Sequence, residues 1–345
     1  MIKIGMIGCG KIAQMRHIPE YAANPNVELV GFYDINQKRA GDLAIKYGGQ
    51  AYDSLQALLA ADIDAVSVCT PNYVHAQNTI AALKAGKHVL CEKPMAGSMQ
   101  DCEDMLKAAR EAGRFLMLGH NQRLAKAHMK ARELIQSGLI GDIVNFRTTF
   151  FHGGPESWSI DPGPSTWFFD KSRALMGVMA DLGIHKTDLI HYLTGQTIVE
   201  TTARLSTVDK KYANGKLIDV DDNAICIFRL DGGAVGSMSI SWTSYGAEDN
   251  STVLYGTRGI MRLYDDPTYS IKVTTREREN VLYQLDGIQT NERQTRSGVI
   301  DTFVRCILEN REPEISGESV LKSMRVVFAS IESSKTGRAV KVNEN

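Results

Sequence analysis

Two features of the chain put charged side chains where they could do chemistry. In "VLCEKPMAG" an apolar run ends in Glu92-Lys93-Pro94. The proline fixes its own φ and biases Lys93 toward an extended backbone, so the lysine is aimed. Farther along, Asp181 and His185 stand four apart, a spacing that on a helix places both side chains on one face, within mutual reach. Oxidising a secondary alcohol needs a base for the hydroxyl proton while hydride leaves the same carbon. A histidine has a suitable ordinary pKa, and a carboxylate can orient it and stabilise its charged form. A lysine near the hydroxyl can polarise it, stabilise the developing oxyanion or relay the proton. Lys93, Asp181 and His185 are the catalytic and substrate-contacting candidates.

Hydride needs an acceptor, and the N-terminus offers a place for one. "GMIGCGKIA" sets Gly8-x-Gly10-x-x-Ala13 between an apolar run and a helical stretch. The first glycine permits the tight turn, the second lets the backbone approach a pyrophosphate, and Ala13 is the third small residue. The turn, with Gly8, Gly10, Lys11 and Ile12, opens a helix whose free N–H groups and dipole favour phosphate. The next apolar run ends "VGFYD", placing Asp34 where an acidic residue accepts hydrogen bonds from an adenosine ribose. Its carboxylate would repel a 2′-phosphate, which favours NAD over NADP. Lys38 and Arg39 nearby read as solvated helix residues. "CTPNYVH" and "CEKP" mark further strand ends on the ligand-binding edge, making Thr70, Pro71, Asn72, His75, Glu92, Lys93 and Pro94 candidates for the cofactor wall.

These residues need a scaffold, and the pattern supplies one. "KIGMIG", "VELVGFYD", "AVSVCT", "HVLCEK" and "FLMLGH" are nearly continuous apolar runs, as strands buried on both faces are. Helical stretches separate them, which predicts a parallel sheet with right-handed crossovers. Beyond residues 119–125 the character changes. A long helix is expected over Leu175–Leu193, then alternating strands to about Leu285, then helices near Gly298–Asn310 and Gly317–Lys335. The fold class is therefore α/β: a dinucleotide-binding domain over 1–122, and an α+β domain over 123–345 with a large, open, mainly antiparallel sheet.

Further contacts to substrate are expected from Asn121, Gln122 and Arg123 after the strand "FLMLGH". His152, Trp158, Asp161 and Trp167 lie in the glycine- and proline-rich loop "FHGGPESWSIDPGPSTW", which could line a polyol site by stacking and hydrogen bonding. Asp188 shares the face of His185 and reads as a brace.

"GCGKIA", "DINQKRA", "TPNYVHA", "CEKPMA" and "DLGIHKTDLIHYLTG", in this order, resemble the glucose–fructose oxidoreductase / inositol dehydrogenase (Gfo/Idh/MocA) family. The resemblance reaches the closing "SGESVLKSMRVVFASIESSKTGRAVKV". It implies a Rossmann domain followed by an α/β domain whose open sheet serves oligomerisation, here a tetramer or dimer. It also implies NAD-dependent oxidation or reduction of cyclic polyols, sugars or their derivatives, and gives the proton role to His185. One departure is "SRALMGVMADLGIH", where many members carry a glycine-rich run, so substrate identity carries over poorly. Two other readings remain open: an NAD-using glycosidase working by transient oxidation and elimination, and a non-catalytic sensor, against which the retention of Lys93 and His185 argues.

Composition is consistent with this. The chain has 345 residues, 43% of them hydrophobic, and a formal net charge of -1 with no basic footprint for nucleic acid. No apolar run approaches the length of a membrane span. The sequence "MIKIGMIGCG" enters the glycine turn at once, leaving no room for a signal peptide. Six scattered cysteines without a C-x-x-C pair fit free thiols better than disulfides or zinc. A cytoplasmic enzyme with no metal is the expectation.

Overall fold

A computed structural model of the protein describes residues 1–288 and 296–342. Six short strands, β1 (Ile2–Ile7), β2 (Val27–Tyr33), β3 (Gln50–Ala51), β4 (Ala65–Val68), β5 (His88–Cys91) and β6 (Leu116–Leu118), form the first sheet. Their order is β3-β2-β1-β4-β5-β6 and every pairing is parallel. β4 and β6 are buried throughout because helices cover both faces, which is why they read as unbroken apolar runs. The order reverses between β1 and β4, opening a crevice at their carboxyl ends. β3 is missing from the sequence reading: two residues are too short to carry a periodic signal.

The second sheet has nine strands: β7 (Ile143–Phe151), β8 (Ile198–Ser206), β9 (Asn223–Leu230), β10 (Val235–Ser241), β11 (Thr252–Gly256), β12 (Gly259–Leu263), β13 (Ile271–Thr275), β14 (Asn280–Tyr283) and β15 (Val340–Lys341). They run β14-β13-β12-β11-β7-β10-β9-β8-β15, antiparallel except for the β7/β10 pair. β9 alternates: Ala224, Cys226, Phe228 and Leu230 face inward, while Ile225 and Ile227 are exposed. The inner face packs against the helix Gly317–Thr336, whose Ser330 and Ser333 hydroxyls bond to Thr201 and to the Ala203 N–H on β8.

The chain does not stay in the second lobe. Leu118 N–H donates to Ile315 O at 3.0 Å, so the segment before the last helix runs beside β6. Ser297 N–H donates to the Glu20 carboxylate at 2.6 Å. The two lobes are thus joined by backbone as well as side-chain bonds, which fixes how the second faces the crevice of the first.

The helix expected over Leu175–Leu193 begins later. Leu175 takes a left-handed φ of 66°, and the helical run starts with a wide turn, Met179–Gly183, that continues as Ile184–Thr194. Its first amides are capped from far away: the Asp221 carboxylate accepts from Gly177 N–H at 2.9 Å and from Met179 N–H at 2.8 Å. A Cβ on Gly177 would come within 2.0 Å of Asp221 O, so only glycine allows this cap to close. A cap supplied 40-odd residues downstream leaves no local mark in the sequence.

Candidate active site

The crevice opens into a cavity of about 1120 Å³ shared by both lobes. Gly8, Gly10, Lys11, Ile12, Asp34, Thr70, Pro71, Asn72, His75, Glu92, Lys93 and Pro94 all line it, as do Asn121, Gln122, His152, Trp158, Asp161, Trp167, Asp181 and His185. Residues scattered over most of the sequence therefore face one space.

At the crevice end, Gly8 has φ +87°, and a Cβ there would sit 2.8 Å from the Cys69 carbonyl carbon and the Thr70 nitrogen. β1 and β4 can close on each other at this point only because the residue is glycine. Gly10 differs: a Cβ would meet nothing nearer than Cys69 O at 3.9 Å and would stand in the cavity instead. That open approach to the backbone fits a pyrophosphate. Asp34 is fixed by the Cys9 N–H at 2.7 Å and the Asn36 N–H at 2.8 Å, leaving carboxylate lone pairs for ribose hydroxyls. Arg39 lines the cavity and lies 3.6 Å from Asp34 and 3.8 Å from Asp161, so it is more than a solvated helix residue. Lys38 points away and pairs with Asp42. His75 spans two loops of this wall, its ring nitrogens 2.8 Å from Thr70 O and Pro94 O.

Glu92 explains how Lys93 is held. Its carboxyl is buried against His17 Nε2 at 2.8 Å and accepts from the Lys93 N–H at 3.2 Å. Burial alone would raise its pKa, but the His17 hydrogen bond and the charges of His17, Arg16 and Lys93 outweigh that and bring it down to about 2. An ionised anchor thus fixes the backbone from which Lys93 projects, and the Lys93–Pro94 peptide is cis.

Lys93 Nζ donates to Asp181 Oδ1 at 2.6 Å and to Asp181 O at 3.2 Å, crossing from one lobe to the other. The second carboxylate oxygen, Oδ2, accepts from the Trp242 indole N–H at 3.0 Å. Burial raises the Asp181 pKa, but the nearby charges of Lys93 and His152 and the bonds from Lys93 and Trp242 bring it below the usual range. The expected Asp181–His185 pair therefore gives way to a different one. Both Asp181 oxygens have donors, and His185 Nδ1 is buried with no hydrogen-bond partner. The wide turn at Met179–Gly183 breaks the regular four-residue stacking on which that expectation rested. Burial first, then the charges of Lys93, His120, Arg16 and Lys186, hold His185 well below the ordinary histidine pKa. These surroundings favour its neutral imidazole form over the protonated one.

Arg123 also departs from expectation. It does not line the cavity but forms a fork-to-fork pair with Asp188, Nε to Oδ2 at 2.7 Å and Nη2 to Oδ1 at 2.5 Å, with Nη1 bonded to Glu314 O and Ser319 Oγ. Both side chains are buried, and they tie the segment after β6 to the helix Ile184–Thr194 and to the C-terminal segment. Arg123 is a brace with Asp188, and Asn121 and Gln122 are the residues of that segment that reach the cavity.

The opposite wall is aromatic. Trp167 stacks on Phe168 with centroids 3.9 Å apart, Trp158 meets Phe168 edge-on at 5.1 Å, and His152 and Phe150 continue the row to His185. Lys210 fixes this loop from behind, donating to Gly153 O at 2.7 Å and pairing with Glu156. Trp242, Asp221, Lys210 and Glu248 are site residues or supports that the sequence reading did not single out. Trp242, Asp221 and Lys210 act through partners distant in the chain.

A Rossmann crevice joined to a lysine, a carboxylate and a neutral histidine defines the class: an NAD-binding oxidoreductase. Comparison with known proteins agrees. Residues 2–120 match the model of an oxidoreductase family with an NAD-binding Rossmann fold, and residues 128–262 match the GFO/IDH/MocA C-terminal domain. The chain is 30% identical over 287 residues to the levoglucosan dehydrogenase of Pseudarthrobacter phenanthrenivorans, covering 75% of this chain and 72% of that one. It is 27% identical to the myo-inositol 2-dehydrogenase of Thermotoga maritima, covering 99% of each. A solved levoglucosan dehydrogenase in complex with NADH superposes with a TM-score of 0.88 at 26% identity over the full length of both chains. The protein belongs to the Gfo/Idh/MocA family of NAD-binding oxidoreductases. Among the described residues, no helix is long and apolar enough to cross a membrane.

Proposed function

We propose that the protein oxidises or reduces a secondary alcohol on a cyclic polyol, sugar or sugar derivative of inositol-like size, working in the cytoplasm. The 2.6 Å bond from Lys93 to Asp181, made beside the neutral His185, carries this reading. Bound NAD supplies the hydride acceptor. Asp181, itself fixed by the Trp242 indole N–H, holds the Lys93 ammonium in place, and the ammonium donates a hydrogen bond to the hydroxyl oxygen as it becomes anionic. His185 accepts the hydroxyl proton, its neutral form being favoured by burial. The aromatic row from Trp167 to Phe150 suits the apolar face of a ring, while Asn121 and Gln122 suit its hydroxyls. Residues 1–122 and 123–345 act as the cofactor and substrate units. Exposed Ile225, Ile227 and Val235 on the outer face of the second sheet support assembly into a dimer or tetramer through that face. The test is NADH formation at neutral pH with a panel of inositols, aldoses, deoxysugars and anhydrosugars. Turnover of at least one uncharged ring is expected, and turnover of none overturns the reading. Light scattering decides assembly: a 38 kDa particle at micromolar concentration refutes it.

A further inference from the structure

The helix that carries His185 also buries Lys186 completely, and the chemistry above does not use it. Taking an ammonium out of water is costly unless its surroundings compensate. Lys186 Nζ donates to Asn250 O at 3.0 Å and lies 5.7 Å from the centre of the Phe150 ring. Asn250 lies in the segment between β10 and β11, which also carries Glu248 and Asp249. Both carboxylates favour the ammonium, but burial prevails and brings the lysine pKa down to about 7.

The same segment reaches the substrate end of the cavity. Glu248 and Asn250 line it together with Gln122 and His185. Gln122 Nε2 donates to Asn250 Oδ1 at 3.3 Å, and Asn250 Nδ2 reaches Glu248 Oε1 at 3.4 Å. Asn250 is thus held through its backbone by Lys186 and through its side chain by Gln122, and it presents Glu248. Burial pushes the Glu248 carboxyl up to about 7, partly offset by Asn250 and Lys186.

From this juxtaposition we infer that Glu248, flanked by Asn250 and Gln122, is a subsite for substrate hydroxyls, and that Lys186 is the positioning residue that holds it. The inference rests on the sugar or polyol reading above. A carboxyl group has two oxygens side by side and suits two neighbouring hydroxyls of one ring. The two amides add a donor and an acceptor each. Where Glu248 is ionised, above about pH 7, a phosphate or carboxylate on the substrate would meet it as a like charge. The ligand class is therefore an uncharged ring with vicinal hydroxyls.

The experiment uses the full-length enzyme, NAD, and the uncharged ring that the panel shows to be oxidised fastest. Glu248→Gln should raise KM about tenfold and Glu248→Ala up to about 100-fold, the range for losing a hydrogen bond to a charged group. NADH affinity should stay within twofold, and kcat should fall less than KM rises. Lys186→Met should raise KM comparably, and adding it to Glu248→Ala should change KM less than about threefold, because the two act through one contact. D-Glucose 6-phosphate should be a poorer substrate than D-glucose by tenfold or more, and Glu248→Gln should narrow that gap. A KM for Glu248→Gln within twofold of wild type overturns the inference while leaving the sugar reading standing. Multiplying effects of Lys186→Met and Glu248→Ala overturn the positioning role. Oxidation of no uncharged ring overturns both readings. If Lys186→Met does not fold, the two Glu248 variants and the phosphate comparison still decide.

Discussion

The two ends of the cavity are built in different ways. The cofactor end comes from the carboxyl ends of adjacent parallel strands, so each segment there carries its own local signature: a glycine turn after β1, Asp34 after β2, Thr70-Pro71 after β4, Lys93-Pro94 after β5. The substrate end is assembled from a wide helical turn, a loop over 152–168 and the segment before β11, with supports that come from elsewhere. Asp181 depends on Trp242, the 152–157 loop on Lys210, and the start of the helical run that carries His185 on Asp221. The first end is set by local backbone geometry. The second is set by which side chains happen to meet when two sheets are docked.

Breaking the link between the two ends should cost most. Lys93→Ala is expected to lose 10²–10⁴-fold in turnover, the usual range for positioned acid–base groups, while still binding NADH. His185→Ala should fall similarly. Asp181→Asn should lose less, and because Asp181 holds Lys93 and not His185, the histidine limb of the pH–rate profile should stay in place. Steady-state kinetics with NADH titration check this, and Lys93→Ala activity within a few-fold of wild type refutes it.

Next in size is the brace. Arg123→Met leaves Asp188 buried without its forked partner and should cost about 3–5 kcal/mol of stability. Were Arg123 a substrate contact, the same change would instead raise KM at nearly full stability. Urea unfolding beside kinetics separates the two outcomes.

A pH experiment probes both ends together. His128 and His191 are brought down to about 3, and His75, His120 and His185 are also lowered, burial being the largest cause in each. Below about pH 6.5 the unfolded chain binds protons that the native state refuses, so stability is lost as pH falls, by about 1.4 kcal/mol per pH unit for each such proton. Asp221 and Glu248, raised by burial, act in the opposite sense but are fewer. A loss of at least about 2 kcal/mol between pH 6.5 and 5 is expected by urea unfolding. Equal stability at the two values would refute it.

The smallest effect belongs to the cofactor end alone. Asp34→Ser should shift preference from NAD toward NADP by about tenfold, or 1.4 kcal/mol, through loss of the carboxylate at the ribose edge. Arg39, 3.6 Å from Asp34, remains to meet a 2′-phosphate. Wild type turning over NADP faster than NAD at equal concentration would overturn the assignment.

Much of the site could be read without coordinates, and the parts that could not share one property. Gly8, Gly10, Asp34 and Lys93 were legible because a turn or strand end fixes its residues through φ, ψ and pleat alone. The Asp181–His185 pairing was inferred from regular helical spacing and failed where the helix widens, leaving Asp181 to Lys93 and Trp242. Arg123 looked like a substrate residue because it follows a strand end, yet a buried aspartate 65 positions away satisfies its guanidinium more completely than the cavity would. By itself the sequence determined the alternation that makes the parallel sheet, the phosphate turn and the aimed lysine, since these are short-range consequences of backbone sterics and apolar patterning. Only the tertiary structure decided which donor each buried carboxylate received, because buried charge takes the nearest partner in space, and that distance is set by the docking of the two sheets.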